Sequence, residues 1–492
     1  MKRVIFSTIL VMIISGFIYA QNETDALRYS QVFYGGTARS LSMGSAFGAP
    51  GGDFSSLSIN PAGLGVYRKS ELTITPTILY NKSNANFYST KFDDFAYDFG
   101  LSNIGIVGAI NTHNEHGWVF TNIAFGYNRI NNFDFNTTIK RDNATNSMAD
   151  QIASDANASG WNLDEYNDHI IVNNAIGQIA ADNQLIYLSP DSSPTSHFIN
   201  DLTGSDYGQS QRRTIESQGY AGEYVFSVAS NFDHKIFIGG TVGIQTVRFT
   251  EHFNHVEDNI PSDIEYLNSF SYQQELKTKG TGVNFKFGVI GVPFNWLRIG
   301  GAIHSPTFFG LNDSYYYEVN SDLTFNNGGP IRYIGENNYD LTTPLRAIGS
   351  LAFIIQKFAM ISFDYEYVDY SSMRLRNSGD GYDFEPENSG IQENFTSTHN
   401  LRTGAEIRFG QISLRGGYSY YQSPYSSGMN NKNSDYSQFS GGLGINNNDF
   451  FLDLAYVYSL HHERYYIYNL ENVPAGIDYN SNKILATFGF RF

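Results

Sequence analysis

The chain has 492 residues, a formal charge of −17 and no cysteine, so it has no disulfide framework or thiolate chemistry, and no nucleic-acid partner is expected. Only 16% of its residues are charged, against 47 Gly, 35 Tyr and 38 Phe, a balance poor for a helical protein and suited to an aromatic-belted barrel. After residue 20 no apolar run is long enough for a helical membrane span, which leaves open a barrel whose strands hide their apolar residues at every second position.

Residues 1–20 read as a secretory signal, with Lys2 and Arg3 as its basic start, Val4–Ile14 as its apolar centre and a cut before Gln21. Residues 21–70 follow, rich in Gly, Ala and Ser. They are too irregular for a wall strand and too rich in small apolar residues for a solvated linker, so they are expected to pack as a plug, or hatch, inside a barrel formed by 71–492.

Alternating runs then give about fourteen strands. They are Glu71–Tyr80, Ser102–Thr112, Trp118–Ile130, Ser217–Phe232, Lys235–Phe253, Ser271–Val292 and Trp296–Val319, then Leu341–Ile355, Ala359–Tyr370, Ser397–Phe409, Gln411–Tyr421, Tyr436–Asn446, Phe450–His461 and Asn482–Phe492. Short connections, as at Asp233–His234 and Gly410, alternate with long ones at Asn81–Leu101, Asn131–Glu216, Asn254–Phe270, Asn320–Asp340, Ser371–Thr396, Gln422–Asp435 and His462–Ser481. That alternation suits tight periplasmic turns and free outer loops, and places both termini in the periplasm. The largest loop, 131–216, carries a helical apolar spacing at Leu163, Tyr166, Ile170, Ile171, Ile176 and Ile179. An outer capture groove and a lid are both open to it.

The fold class is thus all-β: a transmembrane antiparallel barrel of about 14 strands with an N-terminal hatch in its lumen. Charges within strands belong on the lumen side, because Arg or Lys facing lipid near the midplane costs ~2–4 kcal/mol. This selects Arg298, Arg346, Asp364, Glu366, Arg402, Glu406, Arg408, Arg415 and Asp453 as lumen-facing polar residues. Both signs interleave, which favours mutual pairing over a single-sign selectivity ring. In the last strand Phe488, Phe490 and the terminal Phe492 share the apolar face, the pattern expected of an assembly signal read by the barrel assembly machinery.

The segment before the first strand carries Asp53, Ser55 and Asn60-Pro61-Ala62-Gly63, preceded by Ala38-Arg39 and Met43-Gly44-Ser45-Ala46. With the strand count and the terminal Phe, it resembles the long-chain fatty acid transporter (FadL) family of outer-membrane channels for hydrophobic compounds. Ser305-Pro306 and Pro344 share in that resemblance. The resemblance implies a hatch filling a fourteen-stranded barrel, passive uptake of a hydrophobic small molecule captured by outer loops, a hatch rearrangement, and lateral exit beside a kinked strand. Fatty acids lead as substrates, with aromatic hydrocarbons next; outer-membrane lipid and lipopolysaccharide are the surroundings, and a monomer is expected. Within the motif, Pro61 fixes φ and turns Asn60 from the α region, so a structural role in the plug is read ahead of ligand contact.

No cofactor or metal is expected. His113/His116, His252/His255 and His461-His462-Glu463 have no companion set with tetrahedral spacing. The acidic stretch Asn377–Glu387, with Asp380, Asp383, Glu385 and Glu387, has no twelve-residue calcium loop and is read as solvated. No G-x-S-x-G elbow singles out a nucleophile, so no enzyme is expected. A general aqueous porin and a structural or adhesive barrel are the alternatives to the hydrophobic channel.

Overall fold

The computed structural model describes residues 23–164, 169–190, 196–202, 207–261, 266–324, 329–356, 358–377, 379, 381–447 and 449–492. The signal at 1–20 lies outside them. Eighteen segments make one antiparallel sheet that closes on itself. They form fourteen wall strands, because two strands are each broken in two and the segments Phe135–Arg141 and Arg374–Arg376 add only to the rim. In chain order these are β1 (Glu71–Phe87), β2 (Thr90–Asn111), β3 (Trp118–Asn132), β4 (Ser210–Phe232), β5 (Ile236–Asp258), β6 (Leu267–Phe294), β7 (Leu297–His304 and Phe308–Leu323) and β8 (Ile331–Thr342 and Arg346–Ile355). The rest are β9 (Ala359–Asp369), β10 (Ser397–Phe409), β11 (Ile412–Tyr421), β12 (Tyr436–Asn446), β13 (Phe450–Tyr465) and β14 (Ala475–Arg491).

Closure comes from β1 pairing β14, from Glu71↔Arg491 to Asn86↔Gly476. Ser70 and Phe492 exchange two backbone hydrogen bonds of 3.1 Å at the seam. Burial alternates along the strands. Ile106, Phe125, Phe226, Phe285, Phe363 and Phe488 are exposed, whereas Val107, Ala124, Val225, Asn284, Asp364 and Thr487 are buried. A continuous exposed belt of large apolar side chains is the face a barrel turns to lipid.

The wall departs from the sequence expectation in four places. Asn81–Leu101 is not a loop: β1 and β2 run on as one hairpin closed at Tyr88 and Ser89, whose φ of 46° and 69° give the twist a two-residue turn needs. Asn320–Asp340 is likewise mostly strand, in the outer parts of β7 and β8. Both regions carry the wall strands past their expected ends, and on β2 the outward Phe95, Tyr97 and Phe99 continue the apolar face.

Strands β7 and β8, each expected whole, break side by side at Ser305–Thr307 and Thr343–Leu345. Pro306 and Pro344 have no N–H to give the ladder. Side chains take over: Thr307 N donates to Thr343 Oγ1 (2.8 Å) and Phe285 N to Ser305 Oγ (2.9 Å).

The expected helical face in 131–216 is also wrong in part. Leu163 lies in the short strand Trp161–Asp164, and Ile170 and Ile171 lie in its partner His169–Val172. Only Ile176 and Ile179 are helical, on Ala175–Asp182, and Tyr166 falls outside the described residues. A β-ribbon and a helix divide a segment that a single 3.6 period was made to span. A second helix, Met148–Ser159, starts with a capping box from Ser147 and Asp150. Glu257 of β5 accepts from Ser147 Oγ (2.8 Å) and Met148 N (2.7 Å), tying that helix to the strand ends. Ile152, Ile176, Phe198, Phe270 and Ile477 pack together beneath it. The acidic stretch read as solvated contains the start of a helix, Glu385–Asn394.

Candidate functional site

Residues 23–70 lie inside the ring and touch its inner face all round. Helices Glu23–Ser30 and Ala38–Ser42 lead to Ser56–Ile59 and a 3₁₀ turn, Pro61–Val66. Thr37 caps the second helix by accepting from Ser40 N, and its hydroxyl donates to Asp53 at 2.8 Å. Asp53 Oδ1 also accepts from Ser55 N (2.9 Å), while Ser55 Oγ accepts from Thr37 N (2.8 Å). Asp53 and Ser55 therefore knit two turns of the segment together.

Asn60 is extended, with φ −140° and ψ 102°, as a residue before proline favours. Its Oδ1 accepts from Ala62 N (3.1 Å), capping the turn that Pro61 begins; its Nδ2 donates to Gly48 O (2.6 Å) and to Val289 O on β6 (3.2 Å). Ala62 packs against Phe237 and Ile290 of the wall, and Gly63 lies where a Cβ would stand 3.0 Å from Gly51 Cα. Asn60→Ala removes a cap and two bonds to buried carbonyls. It is expected to lower unfolding stability by about 1–3 kcal/mol, read from denaturant midpoints of the folded barrel.

Charged clusters join this segment to the wall. In the first, Glu406 of β10 meets Arg39 Nε (3.0 Å) and Arg415 Nε (2.6 Å), and Arg415 Nη1 reaches Asp453 (2.6 Å). In the second, Glu366 of β9 accepts from Arg346 (3.2 Å), Arg402 (3.5 Å), Asn400 (3.0 Å) and Tyr34 OH (2.7 Å), and Asp364 accepts from Gly48 N (3.0 Å). In the third, Lys286 of β6 grips both oxygens of Glu223 at 2.5 Å, and Ser58 donates to the same carboxylate (2.7 Å).

Of the nine charges picked from the sequence, Arg346, Asp364, Glu366, Arg402, Glu406 and Asp453 are buried on the inner face, and the Arg415 side chain is 4% exposed. Arg298 is half-buried and donates to Pro50 O, while Arg408 stands at the strand end with its side chain 47% exposed, paired to Glu406. The third cluster was missed. Its signal was present, since Glu223 alternates with the outward Tyr224, Phe226 and Val228.

The wall is incomplete between β2 and β3. Their ladder runs only from Asn111↔Phe120 to Asn103↔Asn128, although β2 continues to Thr90 and β3 to Asn132. The ladder ends at a bulge: Thr75 pairs Asn103 but Pro76 pairs Leu101, which leaves Ser102 extra and turns its hydroxyl inward. The inner segment fills the window. Phe33 N and Gly35 N donate to Ile130 O (2.8 Å) and Arg129 O (3.0 Å) of β3. On the other side, Ser102 Oγ donates to Gly36 O (2.8 Å) and accepts from Gly36 N (3.1 Å). Arg129 closes over the gap to Asp98 of β2 (2.6 Å), and a Cβ on Gly100 would stand 2.4 Å from its Nη2.

Two inner cavities have about 20 and 50 Å³, room for water but not for a drug-sized ligand. A concavity of about 820 Å³ lies on the outer face among outward side chains such as Ile106, Phe125, Phe226 and Phe285. Among the described residues no three His, Asp or Glu stand together as a metal site. His252 pairs with Glu275 (2.8 Å) and His255 with Glu257 (3.0 Å).

No protein-family model matches the chain, and no curated protein matches it by sequence. Solved structures do match over nearly its whole length. The P. putida toluene transporter TodX aligns with a TM-score of 0.56 and 10% identity, over 94% of this chain and 99% of that one. A Pseudomonas aeruginosa FadL homologue aligns with a TM-score of 0.54 and 12% identity, over 94% and 100%. The CymD monoaromatic hydrocarbon channel aligns with a TM-score of 0.52 and 12% identity, over 94% and 99%. The chain therefore has the fourteen-stranded barrel fold of the FadL-type channels for hydrophobic compounds.

Proposed function

We propose that this protein is an outer-membrane channel for passive uptake of hydrophobic small molecules, with residues 23–70 as its hatch and the β2–β3 window as its lateral exit. The observation that carries this reading is the window itself, a lapse in the wall ladder filled by Phe33–Gly36 of the inner segment rather than by a neighbouring strand. Withdrawing that strand leaves a route from lumen to lipid. An apolar solute gains by taking it, because it never has to leave the barrel into water. The small inner cavities and the filled lumen speak for a closed resting state and against an open aqueous porin.

Long-chain fatty acids are the leading substrates. Toluene and monoaromatic hydrocarbons, named for the similar structures, are the next. The apolar packing beneath Met148–Ser159 and Ala175–Asp182 supports a lid role for the largest loop. The seam between Ser70 and Phe492 lies at the end with the short turns, which belongs in the periplasm, and Phe488, Phe490 and Phe492 serve the assembly machinery.

The test is uptake of labelled oleate by cells that lack their own outer-membrane fatty acid channel. Restored, saturable uptake is expected, and none from a barrel correctly folded in the membrane would sink the reading. The hatch step has its own assay. Ser58 Oγ lies 3.0 Å from Asn128 Nδ2 of β3, and the chain has no native cysteine. Ser58→Cys with Asn128→Cys, bridged by oxidation or a short crosslinker, is expected to stop uptake, with recovery on reduction. Undiminished uptake by the bridged protein would show that the hatch need not move.

A further inference from the structure

On the outer face of β5 and β6 the apolar belt gives way to cations on the side of the long loops. Rows across the ladders trace the change. Tyr224, Ile244, Val283 and Phe308 form the last apolar row, on β4 to β7. Thr246 stands opposite Thr281 in the next row, and Arg248 opposite Lys279 in the one beyond. Lys277 follows, opposite Thr250. Arg248 and Lys279 are exposed, and among the described residues no hydrogen bond or ion pair engages either side chain. Two other outward cations at this end each meet a carboxylate, Lys82 with Asp93 (2.6 Å) and Arg332 with Glu318 (2.6 Å). The nearby acid Glu275 is taken by Lys277 (2.5 Å) and His252 (2.8 Å).

Like charges directly opposite one another destabilise a sheet, because their Cβ atoms stand only about 5 Å apart. The chain has a net charge of −17, yet the next residues in that row, Tyr220 beside Arg248 and Asn312 beside Lys279, are not acidic. A phosphate between the two cations turns repulsion into charge-assisted contacts, with the hydroxyls of Thr246 and Thr281 one row below as further donors. Beneath them lies the apolar face that lipid chains cover, so an anion carried on such chains is held at both ends. We propose that Arg248 and Lys279, with Lys277 beside them, bind the phosphate of a glycolipid in the outer leaflet, the lipid A part of lipopolysaccharide, whose chains lie along Ile244, Val283 and Phe308. The inference rests on the orientation of the barrel given above and is independent of the solute it carries.

The experiment measures binding to the purified full chain in a neutral maltoside detergent. Its probes are diphosphoryl lipid A, the same lipid stripped of its phosphates, and inorganic phosphate. Wild type is expected to bind the diphosphoryl lipid at least roughly tenfold more tightly than the stripped one, and inorganic phosphate is not expected to displace it. Arg248→Gln with Lys279→Gln is expected to weaken the diphosphoryl lipid roughly thirty-fold and leave the stripped lipid within about twofold. Without lipid, this double variant is expected to resist urea at least as well as wild type, because a like-charge contact has gone; a structural role for the pair would lower its resistance. Lys82→Gln is the control and is expected to bind as wild type does. Heat-modifiable gel mobility checks that each variant is folded. Equal affinity of wild type for both lipids, no binding of either, or an unchanged double variant would overturn the lipid seat. Displacement by inorganic phosphate would leave a site for the free anion only, and overturn it as well. None of these outcomes bears on oleate uptake, which tests the channel separately.

Discussion

Glu366→Leu is expected to destabilise the folded barrel by about 3–5 kcal/mol, more than any other single change in the lumen. Glu366 is fully buried and serves four donors: Arg346, Arg402, Asn400 and the Tyr34 hydroxyl. Leucine fills the space but leaves two guanidiniums in a low-dielectric interior. Asp364, 3.6 Å from Arg402 Nη2, compensates only in part. Two contacts of the inner segment, Tyr34 OH and the Arg346 bond to Ser30 O (2.5 Å), depend on the same group. Urea unfolding in detergent, followed by gel mobility, gives the number. Glu366→Gln keeps shape and acceptor and is expected to lose less. A loss for Glu366→Leu under 1 kcal/mol would show that the cluster contributes shape and not charge pairing.

The second large effect concerns the seat beneath the hatch. Gly404 of β10 and Gly417 of β11 are directly paired, and the backbone of Met43 and Gly44 lies on both. A Cβ on Gly417 would stand 2.1 Å from Gly44 N, and one on Gly404 2.2 Å from Met43 O. Backbone faces backbone there, so no flexible side chain can give way. Gly417→Val is therefore expected to lift the hatch while the wall, paired along its own ladders, still closes. In planar bilayers the variant should conduct where the wild type is nearly silent, and in cells it should admit small sugars. Gly349→Val is the control, because a Cβ at Gly349 meets nothing within 4 Å, and it should behave as wild type. A quiet, stable Gly417→Val barrel would mean that the hatch is not held by this close approach.

Much of the wall was legible because a strand between lipid and lumen must alternate. Phe363 and Tyr365 face out while Asp364 and Glu366 face in, and the sequence shows that directly. The hairpin from Asn81 to Leu101 was not legible from its first half, a polar run of Asn, Lys and Ser, although its second half carries a period of two in the outward Phe95, Tyr97 and Phe99. Only the pairing of β1 with β2 makes it strand. The breaks in β7 and β8 carried a mark in Pro306 and Pro344, but one proline cannot reveal that its neighbour across the ladder is another. In 131–216 a single helical period does not hold: Ile176 and Ile179 are buried on a helix while Leu163 and Ile171 are exposed on a ribbon, and over so few residues the two share one apolar spacing.

The amino-acid order by itself determined the number of wall strands and the alternation that turns charges such as Asp364, Glu366 and Arg402 inward. These follow from local rules: period two, the cost of charge in lipid, and the backbone limits of Pro and Gly. Which carboxylate meets which cation and where the ladder lapses were decided only by the closed structure. Those partners lie far apart in the chain, Arg39 and Glu406 by 367 residues. Only the register of fourteen strands and the inner segment threaded among them brings such groups within reach.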